Sequence, residues 1–108
     1  MIYTLENIIG IITPIAEKYR LNAVFLFGSY ARGTADENSD IDLMVDTAGA
    51  DLDTLFKLGA LYDELERAFG KEIDLITVSS FEQPAVRPSE TAFRENIIRE
   101  RKRVYAAA

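Results

Sequence analysis

Five apolar residues in an unbroken run, Ala23-Val-Phe-Leu-Phe27, sit between Asn22 and Gly28 and constrain this chain more than any other segment. A strand that shows water on one face alternates apolar with polar residues, whereas a run without alternation needs cover on both. The preceding residues supply a helix. Ile8, Ile11, Ile12, Ile15 and Tyr19 recur at helical spacing from Leu5 to about Tyr19, with Thr4 placed to cap the start. Pro14 lies inside that pattern and predicts a kink, or a break into two short helices.

The remaining elements follow from the same periodicities. Asp40-Ile-Asp-Leu-Met-Val45 reads as a strand with Ile41, Leu43 and Val45 on one face and Asp40, Asp42 and Met44 on the other. A turn over 47–51 centres on Gly49. A second long helix runs to about Phe69, capped by Asp51 or Asp53, with Leu55, Leu58, Tyr62, Leu65 and Phe69 as its apolar stripe and Gly70 as its stop. Glu72 to Val78 is a third strand, and Pro84 and Pro88 mark a loop. Ser89 is placed to cap a last helix through about Arg103, Val104-Tyr105 suits a short edge strand, and Ala106 to Ala108 is expected to fray. The order predicts an α/β (α+β) domain over residues 1–108: a small mixed sheet of three to four strands flanked by helices.

Composition then removes whole classes of chemistry. With 108 residues, one domain is the natural count. The chain has no cysteine and no histidine, which excludes disulfides, thiolate sites, histidine-containing triads and the usual zinc ligands. Carboxylates, hydroxyls, backbone amides or an oxygen-held metal are left. No apolar run is long enough to span a membrane, and no basic residue precedes the first apolar ones as in a secretory signal, so a cytoplasmic protein is expected. Net charge is -6, concentrated before residue 81, which argues against nonspecific nucleic-acid binding. Arg99, Arg101, Lys102 and Arg103 cluster near the end, either as a solvated helix terminus or as a patch for a partner.

Three features carry chemistry. Gly28-Ser29 ends the buried strand and opens a helical turn at Tyr30-Ala31-Arg32; a glycine there lets a phosphate approach the backbone, and amides and the Ser29 hydroxyl can donate to it. The same pair also suits an ordinary strand-to-turn junction. Asp40 and Asp42, two apart on a strand, point to one face about 6.6 Å apart and suit Mg2+, a hard cation that keeps water or phosphate in its remaining positions. A solvated edge would show the same spacing, although Ile41, Leu43 and Val45 indicate an ordered strand. Asp74 stands inside a strand that otherwise reads as core, where an acid needs a partner. It is either exposed, or paired with Lys71 or Arg67, or the third carboxylate of a site for one metal or two.

Gly28-Ser29, ten intervening residues and Asp40-Ile41-Asp42 together resemble the signature of the DNA polymerase β-like nucleotidyltransferase superfamily. Phe27-Gly-Ser-Tyr-Ala-Arg-Gly33 with Ser39-Asp-Ile-Asp-Leu43 is similar to its minimal nucleotidyltransferase branch, which includes MntA-type antitoxins and kin of the aminoglycoside nucleotidyltransferases. The resemblance implies that Gly28 and Ser29 hold the nucleotide phosphates, that Arg32 neighbours them, and that Asp40, Asp42 and Asp74 bind two Mg2+ ions. Asp74 would complete the metal nearest the attacking hydroxyl and help remove its proton. Arg101 departs from a pattern that often has glycine there.

The implied activity is transfer of a nucleoside monophosphate, AMP from ATP, to an acceptor hydroxyl. Larger relatives carry a second domain for the acceptor, so the acceptor surface is expected from the 80s loop and tail, from a homo-oligomer or from a partner protein. The resemblance points to a tyrosine of a HEPN-type toxin, with this chain as antitoxin. Two alternatives stand: a non-catalytic module that masks a toxin by contact, and transfer to a small molecule such as an aminoglycoside.

Overall fold

Helix α1 (Leu5–Lys18) begins where Thr4 accepts a hydrogen bond from the Asn7 amide at 3.0 Å while Asn7 Oδ1 accepts from the Thr4 amide at 3.2 Å. This reciprocal pair satisfies two of the amides that a helix start leaves unpaired. The computed structural model describes residues 2–50, 52 and 54–107. The chain continues through strand β1 (Ala23–Phe27), the short helix α2 (Gly28–Arg32), β2 (Ile41–Asp46), α3 (Leu55–Phe69) and β3 (Ile73–Thr77). A 3-10 turn (Val78–Glu82), α4 (Pro88–Glu100) and β4 (Lys102–Ala106) complete it.

The four strands form one mixed sheet in the order β3-β2-β1-β4. Strand β1 pairs antiparallel with both β2 and β4, and β3 lies parallel to β2. Parallel pairing needs a crossover, and α3 is that crossover. One sheet face packs Leu26, Leu43 and Val45 against Ile8 and Ile12 of α1 and Leu61 and Leu65 of α3. On the opposite face Phe27 and Met44 pack with Ile97 of α4. The central strand is therefore covered on both sides, as its unbroken apolar run requires.

Several local expectations need correction. Helix α1 runs through Pro14 without dividing. The carbonyl that Pro14 leaves without a donor belongs to Gly10, and both residues face solvent, while Ile8, Ile12, Ile15 and Ala16 hold the opposite face against the core. The apolar stripe of α3 is Leu61, Leu65 and Phe69, with Leu58 partly buried. Leu55 is 88% exposed, and Tyr62 is also on the solvent side. The expected caps Asp51 and Asp53 lie outside the described residues, and Thr54 accepts from the Lys57 amide at 3.1 Å as the N-cap.

Pro88, not Ser89, opens α4, with Arg87 as a cap that offers no side-chain bond. The helix stops at Glu100 because the chain turns extended at Arg101, which lets β4 begin earlier than expected. Ala106 does not fray: it pairs with Ala23, and the Ala107 amide donates to the Asn22 carbonyl at 2.9 Å. Ala108 lies outside the described residues. Arg101 sits at φ -62°, a conformation that has no need of glycine, and its guanidinium lies 4.1 Å from the centre of the Phe25 ring.

Candidate active site

The register of the sheet builds the site. Phe27 pairs with Asp42 across β1 and β2, and Asp42 pairs with Asp74 across β2 and β3. The next row on the same face is Phe25, Met44 and Ile76. Two carboxyl groups thus stand side by side at the end of a small apolar face that Ile97 of α4 helps to cover. Neighbouring strands are about 4.8 Å apart, so these acids meet directly.

The surroundings of Asp42 oppose its ionisation. Burial is the largest cause that pushes Asp42 up to about 7, followed by the hydrogen bond and charge of Asp74 and the charge of Asp40, while Arg32 acts in the opposite sense. Arg67 pairs with Asp63, and Lys71 donates to the Ser39 carbonyl at 2.7 Å. These two cations, candidates for Asp74, are thus engaged elsewhere.

Gly28 lies immediately above the acids. It adopts φ +73°, and a Cβ built there would stand 2.1 Å from Asp42 Oδ2. Both facts demand glycine, the first through backbone sterics and the second through space taken by the carboxylate. Helix α2 starts at this residue, and its N-cap Phe27 provides no side-chain acceptor for the leading amides. One turn on, Arg32 Nη1 pairs with Glu100 Oε2 at 3.2 Å.

Asp40 arrives differently. It precedes the first residue of β2, is exposed, and emerges from a loop held by Asp36, whose Oδ1 accepts from the Asn38 amide at 2.8 Å. Its charge reaches Asp42, but the sheet register brings together only Asp42 and Asp74. Among the described residues no group of three or more acids gathers tightly enough to hold an ion unaided. The donor set nevertheless fits Mg2+, which takes one or two carboxylates and completes its shell with water and substrate phosphate.

A cleft of about 470 Å³ opens here, lined by Gly28 and Arg32 of α2, Asp42 and Asp74 of the sheet, and Phe93 and Asn96 of α4. Ser29 and Asp40 do not line it. A family description, the nucleotidyltransferase domain, matches residues 8–105. This chain belongs to that family. The nucleotidyltransferase is similar to the protein adenylyltransferase MntA of Thermococcus cleftensis, 37% identical over 81 residues that cover 71% of this chain and 80% of that protein. It also resembles a chain from a crystal structure of a toxin–antitoxin with AMP-PNP at 25% identity and a TM-score of 0.65, covering 92% of this chain and 73% of that one. A chain from the complex of tri-AMPylated Shewanella oneidensis HEPN toxin with MNT antitoxin shares the fold, with 20% identity, a TM-score of 0.62, and coverage of 96% of this chain and 74% of its own.

The sequence of this nucleotidyltransferase does not by itself single out Phe93, Asn96 or Glu100. Their one signal is helical spacing: with Ile97 they fall at i, i+3, i+4 and i+7, one face of α4. Nothing in the sequence alone says that this face looks onto Asp42.

Proposed function

We propose that this chain transfers AMP from ATP to a hydroxyl of a partner protein, a tyrosine of a HEPN-type toxin, and so acts as that toxin's antitoxin in the cytoplasm. The observation that carries the reading is the pairing of Asp42 with Asp74 directly beneath a glycine whose missing side chain makes room for a carboxylate. The relative named as a protein adenylyltransferase and the toxin–antitoxin structure holding AMP-PNP support the substrate and the partner class.

In this reading the amides following Gly28 and the Ser29 hydroxyl hold the β- and γ-phosphates, with Arg32 released from Glu100 to meet their charge. The acceptor oxygen attacks the α-phosphorus, the bond to the bridging oxygen breaks, and pyrophosphate leaves with the electron pair. Asp74 takes the acceptor's proton. Mg2+ held by Asp40, Asp42 and Asp74, two ions in the fullest form, would neutralise the triphosphate and the charge that builds on the exchanging oxygens. Positioning and electrostatics supply the acceleration, so the absence of histidine from the sequence is no obstacle.

The test is incubation with ATP labelled at the α-phosphate, Mg2+ and the toxin encoded beside this chain. Label should appear on a toxin tyrosine, and Asp40→Ala with Asp42→Ala should abolish it together with neutralisation. Neutralisation that survives both substitutions would favour masking by contact and sink the catalytic reading.

A further inference from the structure

Apart from Glu100, which holds Arg32, the α4 wall of the cleft has no task in the phosphate chemistry, yet it presents a ring and an amide to the site. Ile97 anchors it to the sheet at 4% exposure, whereas Phe93, one turn earlier on the same face, keeps 53% of its surface open at the cleft. Asn96 lies between them in sequence, and its Oδ1 accepts a hydrogen bond from Arg99 Nη2. That bond takes one of the oxygen's two lone pairs and leaves the NH2 group to donate. Glu100, at the other end of the face, is tied to Arg32 of the phosphate-side helix. Phe93 and Glu100 are seven residues apart, so the ring stands about 10 Å along the helix from the Arg32 contact.

We infer that Phe93 and Asn96 form the nucleobase platform of the triphosphate site: the Phe93 ring stacks on the base, and the Asn96 NH2 donates to one of its ring nitrogens. The inference rests on the nucleotidyl-transfer reading of the same cleft and adds which residues hold the base. The occupant is a base because one end of the cleft is acidic and bordered by glycine and arginine, suited to a metal-bound phosphate chain. The other end presents an aromatic face and a single donor. Every base has a π-face, so stacking gives affinity with little selectivity, and purines gain most because they cover more of the ring. The Asn96 NH2 donor distinguishes adenine from guanine weakly, since both purines offer acceptor nitrogens on an exposed edge.

Calorimetry of the full chain with Mg-ATP and, separately, with Mg-tripolyphosphate tests this. Phe93→Ala should weaken Mg-ATP binding roughly 5- to 100-fold, the range that base stacking supplies, and leave Mg-tripolyphosphate binding unchanged. Phe93→Tyr, which keeps the π-face, should restore ATP affinity, and Asn96→Ala should weaken ATP but not tripolyphosphate. Unchanged tripolyphosphate binding also certifies that each variant is folded. Equal ATP affinity in wild type and Phe93→Ala overturns the platform, and a rise in KM for the protein acceptor alone would reassign Phe93 to the acceptor side. If the wild type binds neither probe, the nucleotidyl-transfer reading fails and the platform falls with it.

Discussion

Replacing Gly28 by alanine separates two effects that usually travel together. The first is backbone strain: at φ +73° an L-residue costs about 1–2 kcal/mol. The second is local. The new Cβ would lie 2.1 Å from Asp42 Oδ2, more than 1 Å inside ordinary contact, so the carboxylate must swing away or α2 must lift from the sheet. Gly33 provides the control, because it adopts φ +77° and a methyl group added there would meet nothing within 4 Å. Gly33→Ala should therefore show the strain alone. Gly33→Ala is expected to lose about 1–2 kcal/mol in urea unfolding, and Gly28→Ala at least as much. Only Gly28→Ala should also lose about 100-fold or more in AMP transfer, the usual consequence of a 1 Å misplacement in a reacting site. Unfolding curves report the first effect and initial rates at saturating Mg-ATP the second. Transfer rates that fall equally in the two variants, or not at all in Gly28→Ala, would refute the claim that this glycine exists to make room for Asp42.

The remaining predictions concern charge and packing. Asp42 is raised in the folded chain to about 7 from an ordinary value of 3.8, so folding favours its protonated form. Its stabilising contribution is complete below pH 3.8 and is lost as pH rises through about 7. Without divalent ions, the Tm of wild type relative to Asp42→Asn should thus decline across that interval, and Mg2+ at pH 8 should raise the wild-type Tm more than the variant's. Parallel Tm profiles would contradict the assignment. Leu61→Ala, at a site with 0% exposure, should cost about 2–5 kcal/mol, whereas Leu55→Ala at 88% exposure should stay within about 0.5 kcal/mol by urea titration.

Elements with a strong period are legible in the sequence alone. The run Ala23–Phe27, the alternation after Asp40 and the glycine stop at Gly70 mark β1, β2 and the end of α3 nearly residue for residue. Boundaries set by tertiary contacts are not legible. Leu55 is placed correctly for an α3 stripe that includes Tyr62, but the sheet selects the neighbouring line through Leu61, which only the packing of two surfaces decides. Ser89 is the better cap by residue type, yet Pro88 at the first helical position fixes the start. For the site, Gly28 and the acids are visible because spacing and residue type coincide. Asp40 looks equivalent to Asp42 in sequence, but it precedes the first residue of β2 and follows a loop closed by Asp36 and Ser39. Phe93 and Asn96 carry no signature by themselves, since their meaning depends on which way α4 is laid across β2.

The parallel seam between β2 and β3 makes chemistry conditional on assembly. Asp42 and Asp74 come from strands separated by the whole of α3, and only the alignment Asp42–Asp74 sets both acids side by side. Sliding β3 by one position would turn Asp74 to the opposite face, among Leu43 and Ile41, where an unpaired carboxylate is intolerable. The mispaired sheet would be both unstable and inert. Competence for phosphoryl transfer is in this sense a checksum on the fold: under the proposed function, a chain that has zipped β3 wrongly lacks the paired acids that the transfer requires, and cannot act before it is finished.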